Sequence, residues 1–99
     1  MGINSINENK TENNLFKIYP NPTTNFAVIE YELLQKSIVS LEIYNLLGKK
    51  IISINEGQKE TGIYKQSLNF ENLEVAEGLY LIMLSVDDKI SSQKILYQK

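Results

Sequence analysis

Between Phe26 and Leu33 the chain reads FAVIEYEL, with Ala27, Ile29, Tyr31 and Leu33 alternating with Phe26, Val28, Glu30 and Glu32. A period of two puts successive side chains on opposite faces, so this is a strand with one face turned to a core. Val39, Leu41 and Ile43 repeat the pattern against Ser40 and Glu42. The sets beginning with Ala27 and Val39 are the predicted core faces. Similar β-branched and aromatic runs recur along the chain, separated by Gly, Asn and Pro. They predict seven strands at about Leu15–Tyr19, Phe26–Leu33, Ile38–Asn45, Lys49–Ile54, Ile63–Asn69, Leu79–Val86 and Ile90–Tyr97. A helical period emerges only weakly, over Glu71 to Glu77, where one turn of helix is expected. The pattern is all-β, an antiparallel sandwich.

In the sixth strand both faces are apolar. Tyr80, Ile82, Leu84 and Val86 point one way and Leu79, Leu81 and Met83 the other. Two explanations stay open: a neighbouring segment covers the second face, or that face is an apolar patch for a partner.

Turn chemistry is explicit at three places. Pro20-Asn21-Pro22 fixes two φ angles and removes two donors, which predicts a rigid corner between the first two strands. Asn45-Leu46-Leu47-Gly48 has Asn where its side chain can bond the backbone and Gly where φ can be positive, which predicts a type I turn closed by a glycine bulge. The two leucines then form the tip. Leu46 is expected to fold back as a lid over the open end of the sandwich, leaving Leu47 exposed. Asp87-Asp88 reads as the solvated turn of the last hairpin. Leu73, Gly78 and Tyr80 stand in the order of a tyrosine corner, as in Ig-like sandwiches, with the Tyr80 hydroxyl expected on backbone between about Asn69 and Val75.

Composition narrows the function. Ninety-nine residues, 42% of them hydrophobic, suffice for one domain and one core. The stretch Gly2 to Asn14, GINSINENKTENN, has too little apolar area to offset ordering entropy and reads as a flexible linker or tail over residues 1–14, ahead of a domain over 15–99. Asn9-Lys10-Thr11 within it matches a glycosylation acceptor by spacing alone. Ten Lys against twelve acidic residues give a formal charge of −2, and the chain has no Arg, so its basic groups lack bidentate phosphate forks and nucleic acid is not an expected partner. Without Cys or His, thiolate nucleophiles, imidazole bases and the usual zinc sites are excluded. Neither a cofactor nor a catalytic site is expected. Glu30 and Glu32 share a strand face with no pocket chemistry around them and read as solvent-facing charges. The longest apolar run, Leu79 to Leu84, is strand-length, so no membrane span is expected.

Four stretches taken together, IYPNPTTN (18–25), IYNLLGKKI (43–51), EGLYLI (77–82) and KILYQK (94–99), resemble the type A C-terminal sorting domain of the type IX secretion system of Bacteroidetes. The resemblance covers about Leu15 to Lys99. It matches the opening proline corner to Pro20, Asn21 and Pro22, and the central hairpin to Asn45, Leu46, Gly48 and Lys49, with Leu47 at a free position. The Gly-x-Tyr strand start falls on Gly78 and Tyr80, and the terminal basic and apolar strand on Lys94, Ile95, Leu96 and Lys99. Two departures concern local loops: Leu73 stands two residues farther from Gly78 than the family pattern, and the last turn lacks glycine. The resemblance implies a sorting signal rather than an enzyme. Such a domain follows a cargo domain, passes through the periplasm, engages the outer-membrane machinery and is removed by a sortase-like protease as the cargo is secreted or anchored at the cell surface. Its last strand, near Ile95 to Tyr97, is expected to offer an open edge that a receptor can pair with. The alternative is an Ig- or fibronectin-like adhesion or carbohydrate-binding module, which the absence of Trp and the scatter of six Tyr make a poorer fit.

Overall fold

The alternation of FAVIEYEL is realised as strand β2 (Phe26–Leu33), where Ala27, Ile29, Tyr31 and Leu33 are all buried. The computed structural model describes residues 16–99. The expected tail, the Asn9 motif and the start of the first strand at Leu15 lie outside the described residues. The other strands are β1 (Phe16–Tyr19), β3 (Ser37–Asn45), β4 (Lys50–Lys59), β5 (Gly62–Asn69), β6 (Gly78–Val86) and β7 (Lys89–Tyr97). They form two antiparallel sheets, β1-β2-β5 and β4-β3-β6-β7. The expected seven-stranded sandwich is therefore present, and its two inner faces meet in one core. From β3 and β6 that core receives Val39, Leu41, Ile43, Tyr80, Ile82 and Leu84, all buried, while Val86 packs half-buried at the margin.

Several strand starts differ from expectation by one residue, and two elements change further for physical reasons. β4 continues past the expected end at Ile54, because a bulge at Glu56 with Gly57 at φ 75° carries the pairing with β3 on to Lys59. The helical turn, α1 (Phe70–Leu73), begins one residue before Glu71 and stops well before Glu77. Asn69 caps its start by accepting from the Asn72 amide at 3.2 Å, and Glu74 in the left-handed region (φ 55°) ends it. Phe70 at its start is fully buried, stacked on Tyr97 at 4.8 Å between centroids and tilted against Tyr80 at 5.6 Å. This aromatic trio closes the core beneath α1.

The two expected hairpin turns form. At the first, the Gly48 amide donates to the Asn45 carbonyl at 3.0 Å and Gly48 sits at φ 89°. A Cβ on Gly48 would meet nothing within 4 Å, so only the backbone resists substitution. Gly48→Val is expected to cost about 1 to 3 kcal/mol through positive φ alone; an unchanged melting temperature would show that the turn relaxes freely. At the second, Asp87 and Asp88 take φ 50° and 73°, a two-residue turn with both positions left-handed. Asp87 also fixes the start of β3: its amide donates to the Ile38 carbonyl at 2.9 Å, and its Oδ1 accepts from the Ile38 amide at 2.8 Å.

The expected Leu46 lid does not form. Leu46 is 62% exposed and lines a shallow groove on the outer face of the four-stranded sheet with Tyr44, Leu81, Met83 and Lys94. On that outer face Leu81 and Met83 are half-buried and Leu79 is exposed, so the face is neither fully covered nor a fully open patch.

Tyr31 is 1% exposed and stacks on Tyr64 at 5.6 Å. Burial pushes its phenol up to about 12 from 10.0, with the nearby Glu56 charge and Tyr64 adding to it. Because the raised value belongs to the folded state, this phenol's contribution is fully present below pH 10 and is lost as pH rises from there through about 12. An ultraviolet titration of the folded domain should show a tyrosine ionising near 12, a step that Tyr31→Phe removes. Survival of that step in the variant would reassign it.

Candidate functional site

All of β7 pairs with β6, and its odd positions send their side chains inward while the even positions lie on the outer face. Ile95 is 0% and Tyr97 2% exposed, so both belong to the core. Lys94 is exposed, Leu96 half-buried, and Lys99 exposed beyond the strand. Tyr80, opposite Ile95, is buried, and its hydroxyl donates to the Ala76 carbonyl. That acceptor lies one residue past the expected window of Asn69 to Val75, because the left-handed Glu74 turns the chain before Val75 and Ala76 run back toward β6. Leu73 and Val75 both pack against the core, so the two share the place expected of one leucine. Gly78 opens β6 opposite Tyr97. The sequence-predicted residues thus separate into an outward set, Lys94, Leu96 and Lys99, and an inward set, Ile95 and Tyr80, with Gly78 at the strand start.

The expected open edge of β7 is not open along this stretch. The Asn21 side chain takes the place of a strand's peptide groups: Nδ2 donates to the Lys94 carbonyl at 3.0 Å, and Oδ1 accepts from the Leu96 amide at 3.0 Å. Thr23 continues the cover. Its amide donates to the Leu96 carbonyl at 2.9 Å, and its carbonyl accepts from the Gln98 amide at 2.9 Å. Covering an exposed ladder in this way blocks edge-to-edge pairing. Pro20 and Pro22, both after cis peptide bonds, hold Asn21 between them, and the Thr23 hydroxyl, 2% exposed as a residue, donates to the Phe26 carbonyl. Gln93 adds a tie between the sheets by donating from its amide to the Phe16 carbonyl. Sequence reasoning took Pro20-Asn21-Pro22 only as a corner and missed Asn21 as an edge cover. The available signal was a residue with both a donor and an acceptor, fixed between two prolines.

Asn45 organises the β3–β4 hairpin. Its Oδ1 accepts from the amides of Leu47 at 3.0 Å and Lys49 at 2.9 Å, and its own amide donates to the Lys49 carbonyl at 2.9 Å. Behind the tip, the Glu42 carboxylate accepts from the Tyr44 hydroxyl at 2.7 Å and lies 3.1 Å from the Lys50 ammonium. The Tyr44 hydrogen bond first, and Lys50 second, hold the Glu42 carboxyl below its usual range. Lys49 is exposed at the tip, and Lys94 borders the groove that Leu46 lines. The proline corner, the hairpin and the last strand therefore meet at one side of the four-stranded sheet: Asn21 joins the corner to β7, and Lys94 joins β7 to the hairpin groove.

A second cavity opens between the sheets at the opposite end of β7, floored by Phe16, Leu33, Leu84 and Val86 and rimmed by Glu32, Asp87 and Lys89. Among the described residues no group of three His, Cys, Asp or Glu is placed to hold a metal, and no helix is long and apolar enough to cross a membrane. What the outer face offers is lysines around half-buried apolar side chains, a surface suited to being bound.

No curated protein and no solved structure matches the chain. The family of the secretion system C-terminal sorting domain matches over residues 17–98, which takes in the proline corner, the hairpin, the Gly-x-Tyr strand start and the whole of the last strand. The chain belongs to the family of type IX secretion C-terminal sorting domains.

Proposed function

We propose that residues 15–99 act as the address of a cargo joined ahead of them through the linker at residues 1–14. The domain enters the periplasm with its cargo, is bound by the outer-membrane machinery of type IX secretion, and is removed by a sortase-like protease as the cargo leaves the cell or is fixed at its surface. It works by being recognised and carries out no chemistry of its own. The observation that carries this reading is the outward display of Lys94 and Leu96 on a last strand whose backbone edge is already occupied by Asn21 and Thr23, with Lys99 exposed just beyond it. With those amides and carbonyls taken, recognition there runs through side chains rather than strand addition. Ile95, Tyr80 and Gly78 serve recognition indirectly, by holding that strand against the core. Pro20, Asn21 and Pro22, with the hairpin of Asn45, Leu46, Gly48 and Lys49, frame the same face.

The test is a reporter fused ahead of the full chain in a bacterium with a working type IX system and in its secretion-deficient mutant. Delivery of the reporter to the medium or surface in the first, and its retention in the second, is the expected result. Retention in both, with the domain folded, would reject the address role.

A further inference from the structure

We propose that the tip of the β3–β4 hairpin docks on the surface of a bilayer containing anionic phospholipid, with Leu46 and Leu47 entering the interface and the adjoining lysines meeting the phosphates. The proposal does not rest on the sorting role. Leu46 is 62% and Leu47 94% exposed, at consecutive positions of one turn. Single exposed leucines are ordinary on protein surfaces, but the middle of a type I turn tolerates most residues and here carries two large apolar ones.

Most of the turn's donors are already paired within it. The amides of Leu47, Gly48 and Lys49 are all satisfied by Asn45, through its side chain or its carbonyl, and the Asn45 amide is satisfied by Lys49. Donors already paired within the turn carry no dehydration penalty when the tip enters an apolar layer.

The charges stand where phosphate would be. Lys49 follows the tip directly, and Lys94 borders the groove lined by Leu46, on a chain of formal charge −2. Glu42, the carboxylate on the same face, is engaged by Lys50 and Tyr44. An apolar apex backed by cations repeats the order of layers in a membrane, hydrocarbon and then phosphate, and lysine stems can lie along the apolar layer while their ammonium groups stay at its surface. A protein with an apolar hole and an acidic rim is the competing partner, and the experiment separates it.

The purified full chain is incubated at low salt with phosphatidylglycerol–phosphatidylethanolamine vesicles and with phosphatidylcholine vesicles, and binding is read by co-sedimentation. Binding to the anionic vesicles that weakens with added salt is expected. The double variant Leu46→Ser with Leu47→Ser should partition about tenfold more weakly, and Lys49→Glu should abolish the preference for anionic lipid, both with unchanged melting temperature. Because the chain has no Trp, Leu47→Trp supplies a clean reporter whose emission should shift to the blue on the anionic vesicles and be quenched by brominated acyl chains. Absence of binding to the anionic vesicles, or full binding by the double serine variant, overturns the proposal. Binding seen only with outer-membrane vesicles and abolished by shaving them with protease would overturn it in favour of a protein partner.

Discussion

Tyr80→Ala should unfold much of the domain at growth temperature, while Tyr80→Phe should leave it folded with a lower melting point. Tyr80 is 5% exposed, packs against Phe70 at 5.6 Å between ring centroids, and donates its hydroxyl to Ala76. Removing only the hydroxyl leaves one carbonyl unsatisfied, at a cost of about 1 kcal/mol. Removing the ring opens a cavity against Phe70 and the Phe70–Tyr97 stack, and large-to-small changes of this kind cost about 3 to 5 kcal/mol. A domain of this size commonly holds only about 5 to 15 kcal/mol. Burial also raises the Tyr80 phenol pKa, with Tyr97 adding to it, so the fold favours the neutral form; that contribution is intact below the ordinary value and is lost as pH rises through the raised one. Thermal melts of the three proteins, taken at neutral and at alkaline pH, check both statements. An Ala variant that melts with the wild type would show that the corner carries no stability.

The strands were legible because their period is unambiguous. Ala27 to Leu33 and Val39 to Ile43 place an apolar side chain at every second position, and one face of each is buried as expected. The β3–β4 hairpin was legible because Asn45 and Gly48 each have a conformational job that few other residues perform as well. Long-range partners were less visible. Nothing local in Pro20-Asn21-Pro22 says that its amide will meet Lys94 and Leu96, more than seventy residues later in the chain. Leu46 failed as a lid for a related reason: apolar character says that a side chain gains from cover, but not that the fold supplies it, and Leu46 stays 62% exposed. The fourth strand runs past its expected end at Ile54 because Gly57 sits in a bulge, and glycine marks both bulges and loops until the partner strand distinguishes them. Of the candidate site, the residues were named from the sequence, but their division into outward Lys94, Leu96 and Lys99 and inward Ile95 and Tyr80 needed the register of β7 on β6.

Deleting Lys94 to Lys99 should leave a fused cargo in the periplasm, and the structure makes the fold part of the cause. The deletion takes Ile95 and Tyr97 out of the core and strips Asn21 and Thr23 of their partners. Loss of two core side chains of this size, at about 2 to 5 kcal/mol each, is comparable with the whole stability of a small domain. Failure of export in that variant would therefore leave open whether a signal or a fold was lost. The pair Lys94→Glu with Lys99→Glu separates them. Both side chains are exposed, so the melting temperature should move little, within about 0.5 kcal/mol of stability. If outward lysines are what the machinery reads, surface delivery should nevertheless fall sharply, because reversing a charge at an interface both removes an attraction and adds a repulsion. The measurement is cargo location by fractionation beside the melting temperature for wild type, deletion and double charge reversal. Full delivery by the folded charge-reversal variant would take recognition away from the outer side chains of the last strand and return it to another face of the sandwich.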